Sequence, residues 1–318
     1  MKLIDEGTIK SALPYPVLIE KLRHEFGSGQ VVTPTRSHIE YEGRREDEKS
    51  TLLVMPSWLP YQTLGMKVVT VTPGNAKAQL PSINGVYLLF DASTGECKYI
   101  FDARALTAKR TAATSALAST FLSNENSKTL LMVGTGALSR ELIQAHCSVR
   151  PIERVMIWGR SKANIIAESL RDMNLSVEVV EDLAAAGKQA DIISCATLSV
   201  SPLIDARAIK AGQHLDLVGA YRKDMREVND DVVKQARIYI DHDGALKESG
   251  ELLRPLQQGL ITTKDIQGNL FELCAGTKAG RQNPNDVTLF KSVGHAMEDL
   301  VAAQLVIAEI KTSADLNS

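Results

Sequence analysis

The sequence predicts an α/β protein of two lobes, one of them built on a doubly wound parallel sheet. From Lys128 onward, short apolar runs alternate with helical patterns, and the first run breaks on two glycines into a helix. Before Lys128 the apolar runs follow one another with no long helix between them, which predicts antiparallel pairing in a separate lobe. A chain of 318 residues is also long for a single core.

Composition narrows the function classes. The chain is 44% hydrophobic and 23% charged with a net charge of −2, so it offers no field for nucleic acid or an anionic membrane. No apolar run approaches the roughly 20 residues of a membrane span. The segment Met1 to Asp5 lacks the apolar core of a signal peptide. Cys97, Cys147, Cys195 and Cys274 are scattered without a Cys-x-x-Cys pair, as expected of reduced thiols in a cytoplasmic protein. His242 between Asp241 and Asp243 is the one spot that resembles a metal cluster, and a solvated turn explains it better.

In the first lobe, Val17, Leu18, Leu22 and Phe26 recur at helical spacing over 13–26, closed by Gly27 and Gly29. Residues 51–55, 66–72, 86–90 and 98–101 read as strands, with 91–96 as the turn between the last two. Three cations stand out here. Lys67 lies inside an apolar strand, on the same side as Gly65 and Val69. Facing inward, it needs a partner or a ligand; facing outward, it is an ordinary edge-strand lysine. Arg36, and Arg110 ahead of a small-residue helix over 111–119, are either surface ion pairs or forks for a carboxylate.

In the second lobe, strands are expected at 130–133, 155–158, 177–180, 192–195, 215–218 and 238–240. Helices are expected at 138–147, 163–172, 184–189 and 231–235. The turn Gly134, Thr135, Gly136, Ala137, Leu138 presents backbone N–H groups and a helix N-terminus, a site for phosphate, although a plain βα turn has the same look. Its third small position is Ser139 where a dinucleotide fingerprint has Gly or Ala. After the second strand come Arg160, Ser161 and Lys162, with no carboxylate for a ribose 2′-OH. Guanidinium, hydroxyl and ammonium suit a 2′-phosphate, which predicts NADPH over NADH; an exposed basic turn in an NADH-using protein is the alternative. Thr197, Val218, Gly219 and Ala220 lie at the ends of later strands, where the nicotinamide half should pass. After residue 286 a polar and aromatic stretch with Ser292, Val293 and Gly294 reads as a loop and cap leading into a helix over 300–310, which returns the chain to the first lobe.

Four motifs now stand in order: Arg110 to Ser115, Gly134 to Ala137, Val218 to Ala220, and Asp286-x-Thr-x-Phe-x-Ser-Val-Gly294. Together they resemble the ornithine cyclodeaminase/μ-crystallin family over about residues 36–299. The resemblance implies a Rossmann domain at 114–287 inserted into a substrate-binding and dimerisation domain of 1–113 plus 288–318. It also implies a homodimer, a nicotinamide cofactor and a small-molecule substrate. Carried over residue by residue, Arg36, Lys67 and Arg110 fall where the family holds the substrate carboxylate and its reacting nitrogen. Ser82 falls near the nicotinamide, and Ser292 and Val293 close the pocket. Arg110, Thr111, the 134–138 turn, residues 160–162, Thr197, 218–220 and Ser292 are the expected cofactor contacts.

Two departures refine this. Cyclodeaminases resemble Val-Gly-Gly-Asp where this chain has Val218, Gly219, Ala220, Tyr221, and Glu-Leu-Met-Pro where it has Leu53, Val54, Met55, Pro56. Both carboxylates that would handle a distal amine are absent, so the chain resembles the ketimine reductase branch. That branch implies reduction of Δ1-pyrroline-2-carboxylate, and of its six-membered analogue Δ1-piperideine-2-carboxylate, by NADPH or NADH. Lys67 is the expected proton donor to the imine. An alanine dehydrogenase-like activity and a non-catalytic NADPH-binding protein are the rivals.

Overall fold

The computed structural model describes residues 1–43, 49–72, 74–75, 80–81 and 83–315. They divide into two units, one of Met1–Glu25, Gly29–Thr111 and the chain from His295 onward, the other of Phe26–Ser28 and Ala112–Gly294.

The first unit opens with β1 (Lys2–Ile4), α1 (Glu6–Ala12) and α2 (Tyr15–Ser28). Asp5 caps α1 by accepting from the Thr8 N–H at 2.8 Å. Gly29, at a φ of 62°, ends α2 in the left-handed conformation that a side chain would resist. Leu18, Leu22 and Phe26 are buried as the spacing predicts, whereas Val17 faces out. A sheet follows: β2 (Ser37–Glu42), β3 (Lys49–Leu59), β4 (Thr63–Val71), β5 (Ile83–Asp91) and β6 (Cys97–Asp102). Its order is β1-β6-β5-β4-β3-β2, antiparallel except where β1 pairs parallel to β6. One face is closed: Met55, Lys67, Tyr87 and Phe101 lie in register across four strands, all buried. The C-terminal helix (Ala296–Asp315) packs on β3 and β4. The other face carries Val54, Met66, Val68 and Leu88, half-buried, and Ile39 and Val86, exposed.

Next comes α3 (Ala103–Leu122). It starts well before the expected 111–119, so Arg110 lies within the helix and not ahead of it. Asp102 caps its start by accepting from the Ala105 N–H at 2.9 Å. Ala112, Ala113, Ala116, Leu117 and Ala118 are all buried, and a helix covered on all sides has no polar face to give it a period.

The second unit contains β7 (Thr129–Val133), α4 (Ser139–Val149), β8 (Arg154–Trp158), α5 (Ala163–Glu168) and β9 (Ser176–Val179). It continues with α6 (Leu183–Gln189), β10 (Ile192–Cys195), β11 (His214–Leu217), α7 (Asp230–Gln235) and β12 (Arg237–Ile240). Then come α8 (Ala245–Glu248), α9 (Gly250–Gln257), β13 (Ile266–Asn269), α10 (Leu270–Cys274) and β14 (Thr288–Lys291). All its strand pairs are parallel, in the order β13-β12-β14-β11-β10-β7-β8-β9. The segment β9-β8-β7-β10-β11-β14 follows the strand order of a dinucleotide-binding sheet, with its reversal between β7 and β10. The stretch after residue 286 is thus not simply a loop and cap grouped with the first lobe. Thr288–Lys291 form a strand paired with both β11 and β12, and all four residues are buried. Only two apolar residues, Leu289 and Phe290, stand between polar ends, so no apolar run or alternation marks it, yet Thr288 and Lys291 are buried beside polar groups.

Candidate active site

Lys67 faces inward. It is 4% exposed, and its Nζ donates to Asp299 Oδ2 at 2.7 Å. Arg110, also buried, donates from Nε to Asp299 Oδ1 at 3.1 Å and from Nη1 to Glu298 Oε2 at 2.5 Å. One carboxylate therefore holds both cations. The acids open the C-terminal helix, where negative charge meets the positive helix end, and Glu298 Oε1 also accepts from the His295 N–H at 3.0 Å. Burial lowers the Lys67 pKa to about 8, with Arg110 adding to the effect while Asp299 and Glu298 oppose it. For Arg110 burial again opposes the charge, but Asp299 and Glu298 outweigh it and raise the pKa.

Arg36 is half-buried and directly precedes β2. The β2–β3 register pairs Ser37 with Val54; one step further places the backbone of Arg36 beside Met55, in the row of Lys67. Ser82 lies outside the described residues. Leu53 packs on Val69, Val71 and Ala103, so an apolar cluster stands where cyclodeaminases resemble each other in having a Glu.

In the second unit the turn after β7 is shaped for a phosphate. Gly134 has a φ of 118°, and a Cβ there would come 2.6 Å from the Ala196 carbonyl oxygen. Gly136 has nothing within 4 Å of a would-be Cβ, so a ligand can approach its backbone. The N-cap of α4 is Leu138, which supplies no side-chain hydrogen bond to the first turn. Ser139 is buried and donates to the Gly134 carbonyl at 3.0 Å, which shows how a serine fits the third small position. These residues fit a dinucleotide, and Arg160, Ser161 and Lys162 follow β8, exposed. Thr111 is buried in α3.

Thr197 follows β10, and Val218, Gly219 and Ala220 follow β11. Both loops hang on Glu227, a buried residue that the sequence reading passed over. Ser292, Val293 and Gly294 hang on Asp241, whose Oδ2 accepts from Ser292 Oγ at 3.1 Å and from the Val293 and Gly294 N–H groups at 2.7 Å each. Asp241 is wholly buried, so this part of the 241–243 segment is not a solvated turn. His242 accepts on Nδ1 from the Gly244 N–H at 3.1 Å, and no metal-holding cluster occurs among the described residues.

Glu298 and Asp299 were also missed as partners. A signal existed: two adjacent acids at the start of an apolar helix, in a chain whose strand lysine needs a counter-charge. For Glu227 and Asp241 the sequence is silent, because the loop N–H groups and hydroxyls that they hold lie too far along the chain to leave a local pattern.

The model of the ornithine cyclodeaminase/mu-crystallin family matches residues 9–314. The Δ1-pyrroline-2-carboxylate reductase of Colwellia psychrerythraea is 35% identical, with 98% of this chain and 99% of that one covered. The structure of Thermococcus litoralis Δ1-pyrroline-2-carboxylate reductase in complex with NADH and L-proline superposes with a TM-score of 0.93 at 31% identity, covering 99% and 98% of the two chains. An archaeal alanine dehydrogenase dimer with bound NAD gives a TM-score of 0.89 at 25% identity, over 98% of this chain and 96% of that one. With its parallel sheet, its glycine turn and these matches over nearly the whole length, this chain belongs to the ornithine cyclodeaminase/mu-crystallin family.

Proposed function

We propose that the protein reduces Δ1-pyrroline-2-carboxylate to L-proline with a nicotinamide cofactor, preferring NADPH. The observation that carries this is the buried pair Lys67 and Arg110 on one carboxylate, Asp299. A dinucleotide, when bound, supplies the hydride that the imine carbon takes up. Lys67 supplies the proton on nitrogen. Its lowered pKa lets it give up a proton near neutral pH, while Asp299 fixes where Nζ points. Lys67 and Arg110 are matched by Asp299 and Glu298, so the formal charge of the quartet is zero. A substrate carboxylate needs one more cation, and Arg36 fills that role beside the guanidinium of Arg110.

Arg160, Ser161 and Lys162 support NADPH, since they place two cations and a hydroxyl where a 2′-phosphate follows the second strand. Ala220, Tyr221 and Leu53 leave no carboxylate for a distal amine, which is consistent with reduction and not with ring closure of ornithine. Δ1-Piperideine-2-carboxylate is expected as a second substrate, since one methylene is worth only about 1–3 kcal/mol of discrimination. The test is consumption of NADPH with each imine, with pyruvate plus ammonia, and with ornithine. Turnover of the imines supports the reading; turnover of the open-chain substrates alone refutes it.

The apolar outer face of the first unit's sheet supports a homodimer. Ile39, Val54, Met66, Val68, Val86 and Leu88 lie on it.

A further inference from the structure

Three loops of the second unit converge on one buried charge cluster. Glu227 is fully shielded from solvent. Its Oε1 accepts from the Thr197 N–H at 2.8 Å and from Thr197 Oγ1 at 2.9 Å. Its Oε2 accepts from the Gly219 N–H at 2.8 Å and the Ala220 N–H at 3.2 Å. The fit is close: a Cβ on Gly219 would come 2.0 Å from the Thr197 carbonyl oxygen and 2.7 Å from Glu227 Oε1. A second buried acid, Glu251 at the start of α9, holds the first in place by accepting from the Glu227 N–H at 2.8 Å and the Val228 N–H at 3.0 Å. Ser249 donates to the Ala220 carbonyl at 2.7 Å. From β14, Lys291 brings Nζ to 3.9 Å from Glu227 Oε2, buried and without a hydrogen-bond partner of its own.

We propose that Glu227 is a positioning residue for the nicotinamide half of the dinucleotide, setting the spacing of the loops after β10 and β11 and through them the affinity for the cofactor. This rests on the cofactor reading given above, but not on the identity of the imine. The Thr197, Gly219 and Ala220 N–H groups and the Lys291 ammonium can only donate, and the Thr197 hydroxyl donates as well in this arrangement, so the ionised acid, with no hydrogen of its own, suits them best. A protonated acid has only the Thr197 hydroxyl to take its hydrogen and gives up a charge-assisted bond, and a glutamine amide sets its NH2 against a backbone N–H on either side, which leaves that N–H unpaired. Burial raises the Glu227 pKa to about 7, with Lys291 lowering it and Glu251 raising it. The other ionisable neighbours are Cys195 at the end of β10, whose thiol burial pushes far up, and Arg226, whose Nε is 4.0 Å from Glu251. The bracket is therefore intact above about pH 7 and loosens as pH falls through it.

The experiment titrates the purified protein with NADH, followed by the fluorescence of the bound reduced nicotinamide. NADH has no 2′-phosphate to titrate in this range. Glu227→Gln should weaken NADH binding about tenfold or more while leaving kcat at saturating cofactor within about threefold. Wild-type affinity should fall as pH drops below about 7, and this dependence should vanish in Glu227→Gln. Lys291→Met should move the wild-type midpoint to higher pH by removing the cation that favours the ionised acid. A folded Glu227→Gln protein with unchanged affinity and unchanged pH dependence overturns the proposal. Should that variant not fold, Lys291→Met decides, and an unmoved midpoint overturns it. Imine turnover is recorded separately. NADH binding without turnover would refute the reductase reading alone, whereas a wild-type protein that binds no dinucleotide would overturn both.

Discussion

Lys67 Nζ lies 2.7 Å from Asp299 Oδ2, across 232 residues of sequence, with the two side chains 4% and 0% exposed. The contact joins β4 to the first turn of the C-terminal helix. A lone buried ammonium would cost several kcal/mol, so the pair must form together or not at all.

Lys67→Met should lower turnover by about 10²- to 10⁴-fold, the usual worth of a positioned proton donor. Cofactor affinity should stay within about threefold, because Lys67 belongs to the first unit and the loops proposed to hold the dinucleotide belong to the second. Stopped-flow reduction and fluorescence titration measure the two quantities. Near wild-type turnover would remove Lys67 from the chemistry.

The pH dependence has a definite sign. Lys67 must be protonated to donate, and its pKa is lowered to about 8. At saturating cofactor, kcat/KM for the imine should be flat below that value and fall about tenfold per pH unit above it. Asp299→Asn removes a charge that holds the proton on, so the falling limb should move to lower pH. A limb that stays in place would show that another group titrates.

Arg160→Ala should raise the KM for NADPH about ten- to a hundredfold more than that for NADH, the loss of a charge-assisted contact to phosphate. Steady-state kinetics with both cofactors decide it. Equal effects would mean that the basic turn does not read the 2′ position.

Gly134→Ala combines a φ of 118° with an approach of 2.6 Å to the Ala196 oxygen. It should lower unfolding free energy by about 1–3 kcal/mol and weaken dinucleotide binding. Urea titration gives the first quantity and NADH fluorescence the second; a neutral substitution would mean that the turn relaxes freely.

Val68→Glu puts a charge on the apolar outer face of the first unit's sheet, where Val68 pairs with Val54 and Val86. Sedimentation should show a dimer for the wild type and a monomer for the variant. A wild-type monomer would leave that apolar face without the proposed partner.

The parts of the fold that could be read in the sequence were those with a local period. The strand alternation around Lys67 put it on one side with Gly65 and Val69, leaving open which way that side faced, and the run before Gly134 placed the glycine turn. What escaped depends on distant partners. Strand β14 escaped because its polar ends are paired: Thr288 Oγ1 donates to the Leu122 carbonyl at 2.8 Å, and Lys291 lies beside Glu227. The start of α3 escaped because a helix buried all round has no polar stripe. Asp241 resembled a turn residue because its Oδ2 serves donors some fifty positions later, the Ser292 hydroxyl and the Val293 and Gly294 N–H groups.

The place of β14 bears on how the chain is made. β11 and β12 do not pair with each other; each pairs with β14, which among the described residues is the last strand in chain order and leaves a ribosome after both. Until residue 291 emerges, the parallel sheet is a five-stranded piece and a two-stranded piece with a gap between them. A nascent or truncated chain ending before Thr288 thus exposes two unpaired edges of buried sequence, and is a natural target for chaperones and for aggregation.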